Sequence, residues 1–176
     1  MTGLLEHFMG IVGWILHYVS NTGKIYFHSS NCRMFCMESD GAGSFCEKVL
    51  SKDSDGGEME FELLIYNNSN NNRIIRDINI LLKSKIINSF LKIRDDDSRK
   101  ISSQREVFDD LIFLNIPPNS VIKKHLRISL GKDEVREIFN KEVQVNLFGK
   151  KLYGILRFKN LNKKILSISK GNIKYI

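Results

Sequence analysis

The chain has 176 residues, 42% of them hydrophobic and 27% charged. That is one domain of ordinary size with enough apolar material for a core, and it excludes wholesale disorder; only two prolines exclude collagen-like and proline-rich classes. The net charge of +7 gathers at one end: residues 143–176 carry eight Lys or Arg and no acid, while residues 1–142 are close to neutral.

Residues 3–20, GLLEHFMGIVGWILHYVS, form the first element. Eighteen helical residues at about 1.5 Å each span roughly 27 Å, close to the hydrocarbon thickness of a bilayer. The start lacks Lys and Arg and no small-residue cleavage site follows, so a secretory signal is not indicated. On a helical wheel Glu6, Gly10, Gly13 and His17 share one face. Small and polar residues on one face of an apolar helix favour close packing of several copies, or a wet pore between them. The alternative is a helix packed on the protein's own domain. Lys24 and Arg33 follow the segment and none precedes it, which places the rest of the chain in the cytoplasm as a single-pass inner-membrane protein. The three cysteines, Cys32, Cys36 and Cys46, are an odd number and read as reduced thiols.

From residue 24 the period shortens to two. Residues 24–27 begin a strand, and 38–57 read as a Ser/Gly/Asp loop. Met59, Phe61, Leu63 and Ile65 alternate with Glu58, Glu60 and Glu62, a half-buried strand. Residues 67–72, NNSNNN, form a polar turn. Ile78, Ile80 and Leu82 lie on the next strand, and residues 95–100 read as a charged loop. Residues 111–116 run into Pro117-Pro118, and Ile122, Leu126, Ile128 and Leu130 form another strand. Residues 133–141 are the one short helix. Strands 143–148 and 152–158 flank Gly149-Lys150 as a hairpin, and a last strand runs near 165–169. The fold class is mainly β, an antiparallel sandwich or barrel, divided as residues 1–22 (membrane helix) and 23–176 (cytoplasmic domain).

The phrases KIYF, EFELLIYNNSN, RIIRDINILL and NIPPNSVIKKHLRISL, behind an apolar helix, resemble small bacterial proteins with a one-helix anchor and an immunoglobulin-like β-sandwich. The layout also resembles membrane effectors of bacterial anti-phage systems. The first resemblance implies an immunoglobulin-like sandwich and the second an antiviral defence role; neither carries over a catalytic residue.

Chemical motifs are sparse. His28 with the three cysteines lacks zinc-site spacing, Gly41-Ala42-Gly43 lacks the rest of a phosphate loop, and Asp53, Asp55 and Glu58 fall short of a calcium loop. Asp95, Asp96 and Asp97 read as a solvated turn, and His125 as a surface histidine. No cofactor, metal or enzymatic activity is expected. The basic residues Lys150, Lys151, Arg157, Lys159, Lys163 and Lys164 are the anion-binding candidates, for a nucleotide, an oligonucleotide or acidic lipid. Tyr153, Phe158 and Tyr175 interleave with them, as core or as a stacking platform. The expected function is a membrane-anchored homo-oligomer, a pore-forming effector whose sandwich senses an anionic ligand. The alternatives are an anchored scaffold module and a soluble nucleic-acid-binding β protein.

Overall fold

The computed structural model describes residues 24–39, 45–102, 105–153 and 157–168. Among them lie eleven strands and one helix: β1 (Ile25–Ser39), β2 (Phe45–Val49), β3 (Gly56–Asn67), β4 (Arg73–Lys83), β5 (Asn88–Lys92), β6 (Arg94–Ser102), β7 (Arg105–Asp110), β8 (Phe113–Ile116), β9 (Ser120–Gly131), α1 (Lys132–Asn140), β10 (Val143–Tyr153) and β11 (Arg157–Ile168). All strand pairs are antiparallel. One sheet runs β2-β1-β3-β9-β6-β7 and the other β11-β10-β4-β5, with β8 beside the first half of β4. The apolar segment 3–20, with Glu6, Gly10, Gly13 and His17, lies outside the described residues. Among those described, no helix is long and apolar enough to cross a membrane.

The alternation in β3 and β9 makes the sandwich. Met59, Phe61, Leu63 and Ile65 are buried, as are Leu126, Ile128 and Leu130. They share one core with Ile75, Ile80 and Leu82 of β4 and with Val143, Val145 and Leu147 of β10. Each such side chain contributes about 1.5–3 kcal/mol by leaving water. Helix α1 buries Val135 and Ile138 next to β3 and β9, as its spacing predicts.

Three expectations are corrected. Residues 95–100 are not a loop: they lie within β6, where carboxylates reach cations on β9. The segment 38–57 is not one loop, because β2 forms within it and β1 and β3 extend into it. Gly149-Lys150 is not a hairpin turn, because β10 passes straight through it. Gly149 faces a bulge in β4 where Asp77 takes φ 53°. A Cβ there would sit 3.0 Å from Ile75 Cγ2 and 3.1 Å from the Arg76 carbonyl oxygen. The glycine serves close backbone approach, the second use of glycine in a strand.

The Asn-rich turn is polar and largely exposed, but Asn67 and Ser69 at its start are buried. The two N–H groups of Asn67 Nδ2 are shared among the carbonyls of Asn71 (2.8 Å), Ile116 (3.1 Å) and Pro117 (2.8 Å). Its Oδ1 accepts from the Ser69 amide (3.1 Å) and hydroxyl (2.6 Å). One fully buried side chain therefore ties the β3–β4 turn to the end of β8. Four positions along β1 from the partner of Asn67, the Ser29 hydroxyl donates to the Ile165 carbonyl of β11, joining the two sheets.

Candidate functional site

The outer faces of the two sheets differ in charge. On the six-stranded sheet, antiparallel register sets Arg33 beside Glu60, Glu60 beside Arg127, and Arg127 beside Arg94. Arg127 is the centre, only 7% exposed. Its guanidinium pairs with Glu60, with Asp96 at 3.0 Å and with Glu58 at 3.6 Å. It lies 4.5 Å from the Phe108 ring centroid and 5.6 Å from that of Phe35. Arg94 holds Glu58 at 2.8 Å, and Arg33 holds Glu60 at 2.6 Å. Carboxylates and guanidinium groups interleave across four strands, so this face is internally compensated.

His125 extends the same network. Its Nδ1 lies 2.7 Å from Asp97 and its Nε2 3.2 Å from Glu62. An imidazole with a carboxylate at each nitrogen is favoured as the doubly protonated cation. The hydrogen bond to Asp97 raises the His125 pKa above the usual histidine range, against a smaller opposing effect of burial. Burial pushes the Asp97 carboxyl up, but the ring and backbone hydrogen bonds of His125 outweigh it and hold that carboxyl low. Lys123, 2.7 Å away, does the same for Glu62.

An open groove of about 610 Å³ lies where β6–β7 and β8–β9 diverge. Its charged groups are largely satisfied by one another: Lys124 pairs with Asp95 at 2.7 Å.

The outer face of the five-stranded sheet is different. Residues that alternate along the strands with the core positions Ile80, Leu82, Val145 and Leu147 form cross-strand rows on this outer face. One row is Lys164, Asn146, Leu81, Phe90; the next is Asn162, Phe148, Asn79, Lys92. Flanking rows hold Gln144 with Lys83, and Asn160, Lys150, Arg76 with Phe113. The basic residues of these rows are Arg76, Lys83, Lys92, Lys150 and Lys164. Among the described residues Asp77 lies 3.0 Å from Lys150 and Asp110 lies 3.6 Å from Lys92. Phe90 is 56% exposed and Phe113 58%. Phe148 meets Phe90 edge to face, with centroids 5.2 Å apart. Asn146 is only 7% exposed, and its Oδ1 has no hydrogen-bond donor among the described residues.

The predicted cationic cluster is split by this geometry. Lys150 and Lys164 share the outer face, whereas Lys163 falls opposite the core residue Leu147 and Lys151 opposite the core residue Ile75. Arg157 and Lys159 belong to β11 by register, opposite Tyr153 and Lys151; their side chains lie outside the described residues, as do those of Tyr153 and Phe158. Tyr175 and the Glu6, Gly10, Gly13, His17 stripe lie outside as well. Sequence reasoning missed Lys83, Phe90, Lys92 and Phe148. The available signal was the alternation of Asn79, Leu81 and Lys83 with the buried Ile80 and Leu82.

Burial pushes the Cys32 thiol up to about 11, while Cys36 is buried and Cys46 exposed; all three are free.

Residues 23–153 match the family model described as the YopI Ig-like domain. No curated protein matches the sequence. Among solved structures, a putative ApaA protein from Bordetella pertussis is similar at 7% identity and TM-score 0.43, over 85% of this chain and 96% of that one. A protein from Archaeoglobus fulgidus is similar at 10% identity and TM-score 0.38, over 78% of this chain and 99% of that one.

Proposed function

The chain belongs to the family of YopI Ig-like domains, and from that premise we propose that it is a non-catalytic binding module whose five-stranded sheet face takes an anionic ligand. The observation that carries this is the contrast between the two outer faces. One neutralises its own charges; the other carries Lys83, Lys92, Lys150 and Lys164 around a floor of amides and phenyl rings, and of these Lys92 pairs with Asp110 and Lys150 with Asp77. A face with excess positive charge attracts anions over about a Debye length, roughly 8–10 Å at physiological salt. The apolar length of residues 3–20 supports a membrane anchor for this module, and the Glu6, Gly10, Gly13, His17 stripe supports self-association of the anchors.

Polyphosphate is the test ligand, since it offers charge and nothing else. The full chain in detergent should bind it at low ionic strength and release it as salt rises. The combined Lys83→Glu, Lys92→Glu and Lys164→Glu variant should lose at least about tenfold in affinity, because three local charges change sign. Wild-type protein that ignores polyphosphate at low salt overturns the proposal.

A further inference from the structure

We infer that the ligand of this basic face is single-stranded nucleic acid, an inference that rests on the anion-binding role proposed above. Strands β8 and β5 both flank β4 on the side away from β10. Along that flank Phe113 lies opposite Arg76, Lys92 opposite Asn79, and Phe90 opposite Leu81. At about 3.4 Å per residue, with the bulge at Asp77 taking up one position, the two rings are roughly 14 Å apart along the strands, and the position of Lys92, which pairs with Asp110, falls between them. This file of ring, cation and ring offers two stacking surfaces for bases and a charge for the phosphate that links them. Stacking is open to any base because every base has a flat π face.

The rest of the face carries the polar chemistry that bases need. Asn79, Asn88, Asn146, Asn160, Asn162 and Gln144 occupy outer positions on four adjacent strands. A carboxamide carries both donors and an acceptor, so it can pair with the edge of an unpaired base. Asn146 is the pointed case. Its Oδ1 has no donor among the described residues, and rotation of the amide toward a ligand exchanges an unmet buried acceptor for a paired one. Beside Phe113 a hollow of about 330 Å³, lined by Ile74, Arg76, Asp77, Ile112 and Phe113, gives one base a recess with both an apolar wall and charged groups. Lys83, Lys150 and Lys164 surround these features at the other strand positions.

A membrane surface fits the face less well. Acidic headgroups call for the lysines alone, and seating Phe90 and Phe113 in the bilayer would carry the neighbouring amides away from water. A duplex fits less well still, since its bases are already stacked and cannot cover the rings.

The test compares four probes on the full chain in detergent: a mixed-sequence single-stranded oligonucleotide, its duplex, polyphosphate, and phosphatidylserine-containing vesicles. The single strand should bind tightest. Phe90→Ala and Phe113→Ala should each weaken single-strand binding by about tenfold and leave polyphosphate binding unchanged, as loss of a stacking platform does. Each ring is exposed, and melting curves unchanged from wild type would establish that the fold is intact. Equal affinity for all anions, insensitive to both substitutions, overturns the nucleic-acid assignment while leaving the anion-binding role standing. Binding to vesicles without binding to oligonucleotide overturns it in favour of a lipid surface. Binding to no probe overturns both.

Discussion

The imidazole of His125 on β9 and the carboxylate of Asp97 on β6 are 2.7 Å apart, the closest approach of a histidine to an acid among the described residues. The pair is exposed enough for its titration to be followed in solution, and it fixes a direction for stability against pH. The His125 pKa is raised in the folded chain, so its contribution is complete below the unfolded value of about 6.5 and is lost as pH rises through the folded value. The Asp97 pKa is lowered, so its contribution holds above about 3.9 and fades as pH falls further. Thermal melting should therefore show a plateau between these limits and a decline on the alkaline side. His125→Gln should flatten that decline. An unchanged alkaline slope in the variant would sink the assignment.

Arg127→Ala should destabilise the domain by about 3–5 kcal/mol, because it removes the buried cation that three half-buried carboxylates share. Glu58, Glu60 and Asp96 all lose a partner, and the Phe35 and Phe108 rings lose contact area. Urea denaturation measures this directly. A loss under about 1 kcal/mol, the range of an exposed pair, would show that the cluster is solvated.

Asn67→Asp should cost about 2–3 kcal/mol and Asn67→Ala a similar amount, since each leaves buried carbonyls unpaired. The aspartate is the more telling change. It keeps the shape and the acceptor toward Ser69, but sets a second oxygen against the carbonyls of Asn71, Ile116 and Pro117. Equal denaturation midpoints for the Asn67→Asp variant and the wild type would be the contrary outcome.

A thiol-specific reagent applied to native protein at neutral pH should modify Cys46 first and leave Cys32 and Cys36 until the domain opens. The thiolate is the reacting form, and the Cys32 thiol, pushed up to about 11, is almost wholly protonated there. Peptide mapping after brief labelling distinguishes the three. Early modification of Cys32 would mean that β1 is open where the structure has it packed.

The sequence makes the sandwich legible wherever a strand buries one face. Met59, Phe61, Leu63 and Ile65 announce β3 because only the period of two puts all four in a core, and α1 shows itself through Val135 and Ile138. β6 is hidden for the opposite reason. Asp95, Asp96 and Asp97 look solvated until Lys124, Arg127 and His125, about thirty positions later, supply their partners. Strand β5 is too short to display a period, so Phe90 and Lys92 gave no sign of sharing a face with Lys164. Gly149 misled because a glycine followed by a polar residue also marks a hairpin, and only the bulge at Asp77 reveals its use.

The bond from Ser29 to Ile165 joins residues 136 positions apart, and it closes a stretch of β1 that β2 does not reach. During synthesis the edge of that stretch away from β3 lies open until β11 has left the ribosome. An early strand that must wait for the last one is exposed to its neighbours on the same messenger, and non-local closure of this kind folds slowly. Ending translation before β11 would thus yield a chain with an open, partly apolar edge, ready to pair with another copy and precipitate.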